Sequence, residues 1–137
     1  MIALRNFIVL VGRILLALIF VQAGIGKLGA IGATVANMTS HSIPLANILV
    51  WGAVALELGG GLLLLTGLFA RCAALALGLY TLALALIFHA YWLAPAAEAR
   101  TQHALFFNHL AIIGGMLCIV AFGAGGYSLD ALTGRQS

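Results

Sequence analysis

Glu57 lies within the otherwise uncharged apolar run from Leu45 to Ala70, so its carboxylate is placed near the middle of a membrane span. A charge at bilayer mid-depth costs about 2.5–3.5 kcal/mol on translocon scales, so such a group normally faces a partner or a wet cavity. Six further polar side chains sit inside apolar stretches: Arg13, Gln22, Tyr80, His89, Asn108 and His109. Imidazoles titrate near neutral pH and can relay protons or bind a ligand. Together these seven residues form the candidate ligand or proton-relay set. The plainer role for each is an interhelical hydrogen bond that sets bundle register, contributing about 0.6–2 kcal/mol.

Depth counting decides which of them can meet. At about 1.5 Å per residue, Arg13 lies about 12 Å beyond Arg5, while Glu57 and Tyr80 lie about 21 Å and about 14 Å from Arg71. An arginine side chain spans the difference between Arg13 and Glu57, so a pair between the first two spans is feasible, with Tyr80 joining it. Gln22 and His89 count to about 25–27 Å, and Asn108 and His109 to about 22–24 Å, giving one outer layer. Lys27 reads first as an anchor that snorkels to the headgroups. Its alternative role is to draw an anionic or carbonyl-bearing headgroup into that layer.

The elements that carry these residues follow from composition. With 64% hydrophobic and 7% charged residues, and a mean hydropathy of +1.20, the chain lacks the polar surface of a soluble domain. Only self-satisfied backbone survives in lipid, and no strand-like alternation is present, so the apolar segments read as helices. The expected fold is an all-α membrane protein, a single domain over 1–137, with four transmembrane helices in an antiparallel bundle. Their expected limits are Leu4 to Leu28, Pro44 to Phe69, Cys72 to Leu93 and Ala104 to Phe122. The N-terminal stretch is expected to remain as a span, because its apolar part is long for a signal peptide and Arg13 interrupts it. The connection from Gly29 to Ile43 has room for a short helix, but its pattern does not commit to one.

Lys and Arg near the span ends set orientation. Arg5, Arg71 and Arg135 stand against Lys27 and Arg100, so both termini are expected to be cytoplasmic. The net charge of +3 is scattered, with no basic run, so a nucleic-acid surface is not expected. Gly59-Gly60-Gly61, Gly114-Gly115 and the pairs Ala55/Gly59, Ala74/Gly78 and Ala111/Gly115 read as close-packing positions within the bundle or between protomers of a homo-oligomer.

Self-contained catalysis finds little support. Cys72 and Cys118 are the only cysteines and form no Cys-x-x-Cys. His89 and His109 could ligate haem, or hold a metal with Glu57, but no HExxH, ExxH or haem-attachment motif accompanies them. No metal site and no intrinsic cofactor are expected.

Gly12-Arg13, Gly26-Lys27-Leu28, Ile43-Pro44, Glu57-Leu58-Gly59-Gly60-Gly61-Leu62, Gly67-Leu68-Phe69 and Arg71, with His89 ahead of Leu110 to Gly115, resemble the DoxX family of small four-helix bacterial membrane proteins. The resemblance runs in order from about Val11 to Asp130. Where the family commonly shows a Lys-Asn pair entering the fourth helix, this chain has Asn108-His109, and no role is assigned to a lysine there. The family takes its name from subunits associated with a thiosulfate:quinone oxidoreductase, and members are linked to quinone handling and oxidative stress. The resemblance thus implies an inner-membrane subunit of a quinone-linked redox system. Arg13, Gln22, Glu57, His89 and His109 would surround a quinone headgroup, and a redox partner protein would supply electrons. Two other classes use the same charges differently: a small-solute or proton carrier or channel, and a scaffold recruiting a soluble partner through Arg71 and the segment from Gly123 to Ser137.

Overall fold

A computed structural model describes residues 1–134. Among these, six α-helices account for most of the chain: α1 (Ile2–Gly29), α2 (Ile31–Ser40), α3 (Ala46–Thr66), α4 (Ala70–Phe88), α5 (Ala96–Phe122) and α6 (Leu129–Leu132), with a 3-10 turn at Tyr91–Leu93. Four helical stretches are long and apolar enough to cross a membrane: Ile2–Gly29, Ala46–Thr66, Ala70–Leu93 and Ala96–Phe122. Arg135 and the last residues of the proposed scaffold surface lie outside the described residues.

The four long helices close a ring in which α1 packs on α3, α3 on α4, α4 on α5 and α5 on α1. Its core is built from Ala17, Phe20, Leu64, Ala70, Ala74, Leu77, Met116 and Ile119. Leu15, Ile19, Leu62, Leu79, Leu86 and Leu117 point outward and are exposed. In a span they face acyl chains, so association rests on packing rather than on a difference in hydrophobicity.

Small residues set the register of α1 against α3. A Cβ at Gly61 would stand 2.9 Å from Val21 Cγ2 and 3.4 Å from the Ala17 carbonyl oxygen, while one at Gly60 would stand 2.9 Å from Leu77. Gly59, by contrast, has open space where a Cβ would go. Replacing Gly61 with leucine is expected to overpack this seam at a cost of about 1–3 kcal/mol, lowering the midpoint of unfolding in mixed micelles. The same change at Gly59 leaves the midpoint in place, and equal effects at the two sites would contradict this register.

The largest departures from the expected limits lie in the α1–α3 connection and at the turn between α4 and α5. The Gly29 to Ile43 connection folds as α2, with no residue buried, and it packs over α1 and α3. The helix α4 stops at Phe88, five residues before Leu93, and α5 begins after Pro95 at Ala96, eight residues before Ala104. Aromatic rings hold this reversal: Tyr91 stacks edge-on with His103 and Phe106 at centroid distances of 4.7 and 5.6 Å. Hydropathy reports where lipid contact begins, whereas Ala96 to Gln102 is made of good helix formers that extend α5 beyond it.

At the opposite end, Gly67 (φ +70°) reverses the chain between α3 and α4. The Asp130 carboxylate accepts hydrogen bonds from the Phe69 and Ala70 amides, at 2.9 and 3.0 Å, and so caps α4.

Candidate functional site

Glu57 is 1% exposed, and its partner is Lys27. The ammonium Nζ donates to Oε1 at 2.7 Å and to Oε2 at 2.9 Å. Tyr80 Oη donates to Oε1 at 2.8 Å, so α1, α3 and α4 are tied at one carboxylate. The register explains the pairing, because a Cβ at Gly24 would meet Glu57 and Leu58, and Lys27 follows one turn later. The ammonium is thus turned inward to the carboxylate rather than serving as a headgroup anchor, which corrects the first reading of Lys27.

Arg13 is not part of this group. A Cβ at Gly67 would stand 2.7 Å from Arg13 Nη1, and Gly67 is ten residues beyond Glu57, or about 15 Å along a helix axis. Arg13 instead donates from Nη1 to the Ala124 carbonyl and from Nη2 to the Tyr127 carbonyl, the latter at 2.8 Å. The depth count treated the stretch from Glu57 to Arg71 as continuous helix, but the chain turns at Gly67 to Phe69. Unpaired carbonyls in the loop after α5 therefore take the guanidinium.

Two histidines complete a second polar pair. His89 Nδ1 lies 2.8 Å from Gln102 Oε1, and His109 Nδ1 lies 2.8 Å from the Leu105 carbonyl oxygen. Both partners are acceptors, so each Nδ1 carries the proton, and Nε2 of the neutral ring is left as an acceptor. The two rings touch, with centroids 4.7 Å apart. Gln22 and Asn108 are exposed and join neither group. Helix rotation turns them outward, which depth alone could not reveal.

A cavity of about 490 Å³ joins the two pairs. Lys27, Tyr80, His89 and His109 supply its polar wall, Leu49, Leu56, Leu84, Ile87 and Phe88 much of its apolar wall, and Thr34, Asn37 and Met38 of α2 cover one side. Glu57 sits behind Lys27 and Tyr80 and fixes both. Two of its three ammonium hydrogens satisfy Glu57, leaving Lys27 one more to offer. The cavity thus combines a fixed cation, a phenol and two imidazoles with apolar walls, a composition suited to a flat ligand that carries oxygens and a hydrocarbon tail. The pairing of Lys27 with Glu57 and the contact of Gln102 with His89 were not legible in the sequence. Gly24 preceding Lys27 by one turn was the available signal for the first.

Among the described residues, no three His, Cys, Asp or Glu side chains converge as a metal set, and Cys72 and Cys118 are both exposed free thiols.

The sequence pattern of the DoxX family matches residues 8–90, more than half of the chain. Two relatives from Escherichia coli (strain K12) align over nearly the whole length. Inner membrane protein YqjF is 34% identical over 128 residues, covering 93% of each chain. Inner membrane protein YphA is 31% identical over 128 residues, covering 93% of this chain and 91% of its own. No solved structure matches the chain. With four membrane-crossing helices and this extent of similarity, the protein is an integral membrane protein and belongs to the DoxX family.

Proposed function

We propose that this protein is an inner-membrane subunit of a quinone-linked redox system, and that the quinone headgroup binds in the cavity between Lys27, Tyr80, His89 and His109. The observation that carries the reading is the joining of a carboxylate-held ammonium and two imidazole rings in one cavity with apolar walls. When bound, a quinone supplies two-electron chemistry coupled to two protons, and its electrons come from a partner protein.

Each residue then has a distinct task. Lys27 donates to a carbonyl oxygen, and Glu57 keeps its ammonium from swinging out to the headgroups. Neutral His89 and His109 accept hydroxyl protons from a reduced ligand; in their protonated form they return them. Gln102 and the Leu105 carbonyl hold the rings in the tautomer that this exchange needs. The apolar walls exclude water and strengthen each of these contacts.

Equilibrium binding of a short-tailed quinone analogue to the protein in nanodiscs tests the proposal. His89→Ala and His109→Ala are each expected to weaken binding about tenfold, equivalent to about 1.4 kcal/mol, with melting little changed. Wild-type protein that fails to bind the analogue, or variants that bind it equally well, would overturn the proposal.

A further inference from the structure

A second cavity, of about 670 Å³, lies at the other end of the bundle, between the starts of α1 and α4 and the loop that follows α5. Arg5 and Arg71 both line it, and among the described residues neither guanidinium has a hydrogen-bond or ion-pair partner. Arg71 lies against the backbone of Gly123, where a Cβ would stand 3.5 Å from its Nε. Asn6 accepts from the Gly126 amide through Oδ1 at 3.3 Å, which leaves its amide nitrogen as a further donor. The one acid in the wall, Asp130, has its two oxygens taken by the Phe69 and Ala70 amides. The side-chain polar groups left over are therefore donors, and two are permanent cations.

The remaining wall is apolar and open to lipid: Phe122 is 83% exposed and Phe69 49% exposed, with Val9 alongside. An oxyanion attached to acyl chains fits both halves of this surface. Free phosphate offers the same oxyanion but leaves the apolar half uncovered. We propose that this cavity is a binding site for the phosphate of an anionic phospholipid, held by Arg5, Arg71 and the Asn6 amide, with an acyl chain along Val9 and Phe122. The site is separate from the ligand cavity near Lys27 and does not depend on what binds there.

Native mass spectrometry of the full chain, released from micelles containing equal amounts of phosphatidylglycerol and phosphatidylcholine of matched chains, tests the assignment. Two guanidiniums favour the anionic lipid about tenfold or more in retained adducts. The Arg5→Gln/Arg71→Gln double variant is expected to bring the two lipids to equal retention, while Arg100→Gln, at the far end, leaves the preference intact. Circular dichroism of each variant checks that the helices persist. Equal retention by the wild type, or a preference that survives in the folded double variant, would overturn the proposal. Displacement of phosphatidylglycerol by millimolar inorganic phosphate would overturn the lipid assignment in favour of a free oxyanion.

Discussion

Replacing Lys27 with methionine is expected to destabilise the bundle by about 3–5 kcal/mol, the usual cost of stripping one partner from a buried ion pair. Glu57 is 1% exposed and lies mid-helix in α3, so once the ammonium is gone its carboxylate stays buried with the Tyr80 hydroxyl as its remaining side-chain donor. The reverse change, Glu57→Leu, is expected to cost less. The Lys27 side chain is 23% exposed near the end of α1, and its long stem lets the ammonium snorkel outward. The Lys27→Met/Glu57→Leu double variant recovers most of the stability, because an apolar pair of similar volume avoids the desolvation of two charges. It does not recover binding of a quinone analogue, since the fixed cation and its carboxylate support are both lost. Unfolding midpoints for the four proteins of this cycle measure the coupling. Equal costs for the two single variants, or a double variant as unstable as their sum, would show that the pair is not buried in the way described.

Replacing Arg13 with methionine is expected to cost about 2–4 kcal/mol and to leave ligand affinity unchanged. Arg13 is 2% exposed, and its guanidinium donates to the carbonyls of Ala124 and Tyr127. Its loss leaves both acceptors short of a donor, at about 1–3 kcal/mol for each buried group. It also removes the positive charge facing Asp130, the residue that caps α4. Arg13→Lys keeps the charge but not the two-pronged geometry, so its cost falls between those of wild type and Arg13→Met. Because Arg13 and Glu57 stand at different levels, the effects of Arg13→Met and Glu57→Leu should add. A strong coupling between them would restore the pairing that depth counting suggested.

The contrast between Arg13 and Lys27 shows which information a membrane sequence carries. Spans, their order and the burial of Glu57 were legible because hydropathy and the cost of a charge in lipid act along the chain. Rotation about each helix axis was not. On α3 the outward residues Leu49, Trp51 and Leu62 are as apolar as the inward Val50, Val54 and Leu64, so no amphipathic stripe marks the interior. Gln22 and Asn108 therefore counted to the same layer as His89 and His109 yet face outward, while the two histidines line the cavity. Close glycine contacts settle rotation, and of the consecutive glycines 59 to 61 only the last two make them. The connection from Gly29 to Ile43 had room for a short helix, and the structure folds it as α2. None of its residues is fully buried, and its inward side is only the short stripe of Ile31, Thr34, Val35 and Met38, which closes one side of the ligand cavity through Thr34 and Met38.

Photo-crosslinking with an azide-bearing quinone analogue, followed by peptide mapping of the protein in nanodiscs, addresses the ligand cavity most directly. Labels are expected on the cavity wall, at Leu49 to Leu56 of α3, at Ala83 to Phe88 of α4 and at His89 just after it, and unlabelled quinone should suppress them. Labels spread over the lipid-facing residues of α1 and α5, insensitive to competitor, would contradict a headgroup site beside Lys27 and the two histidines.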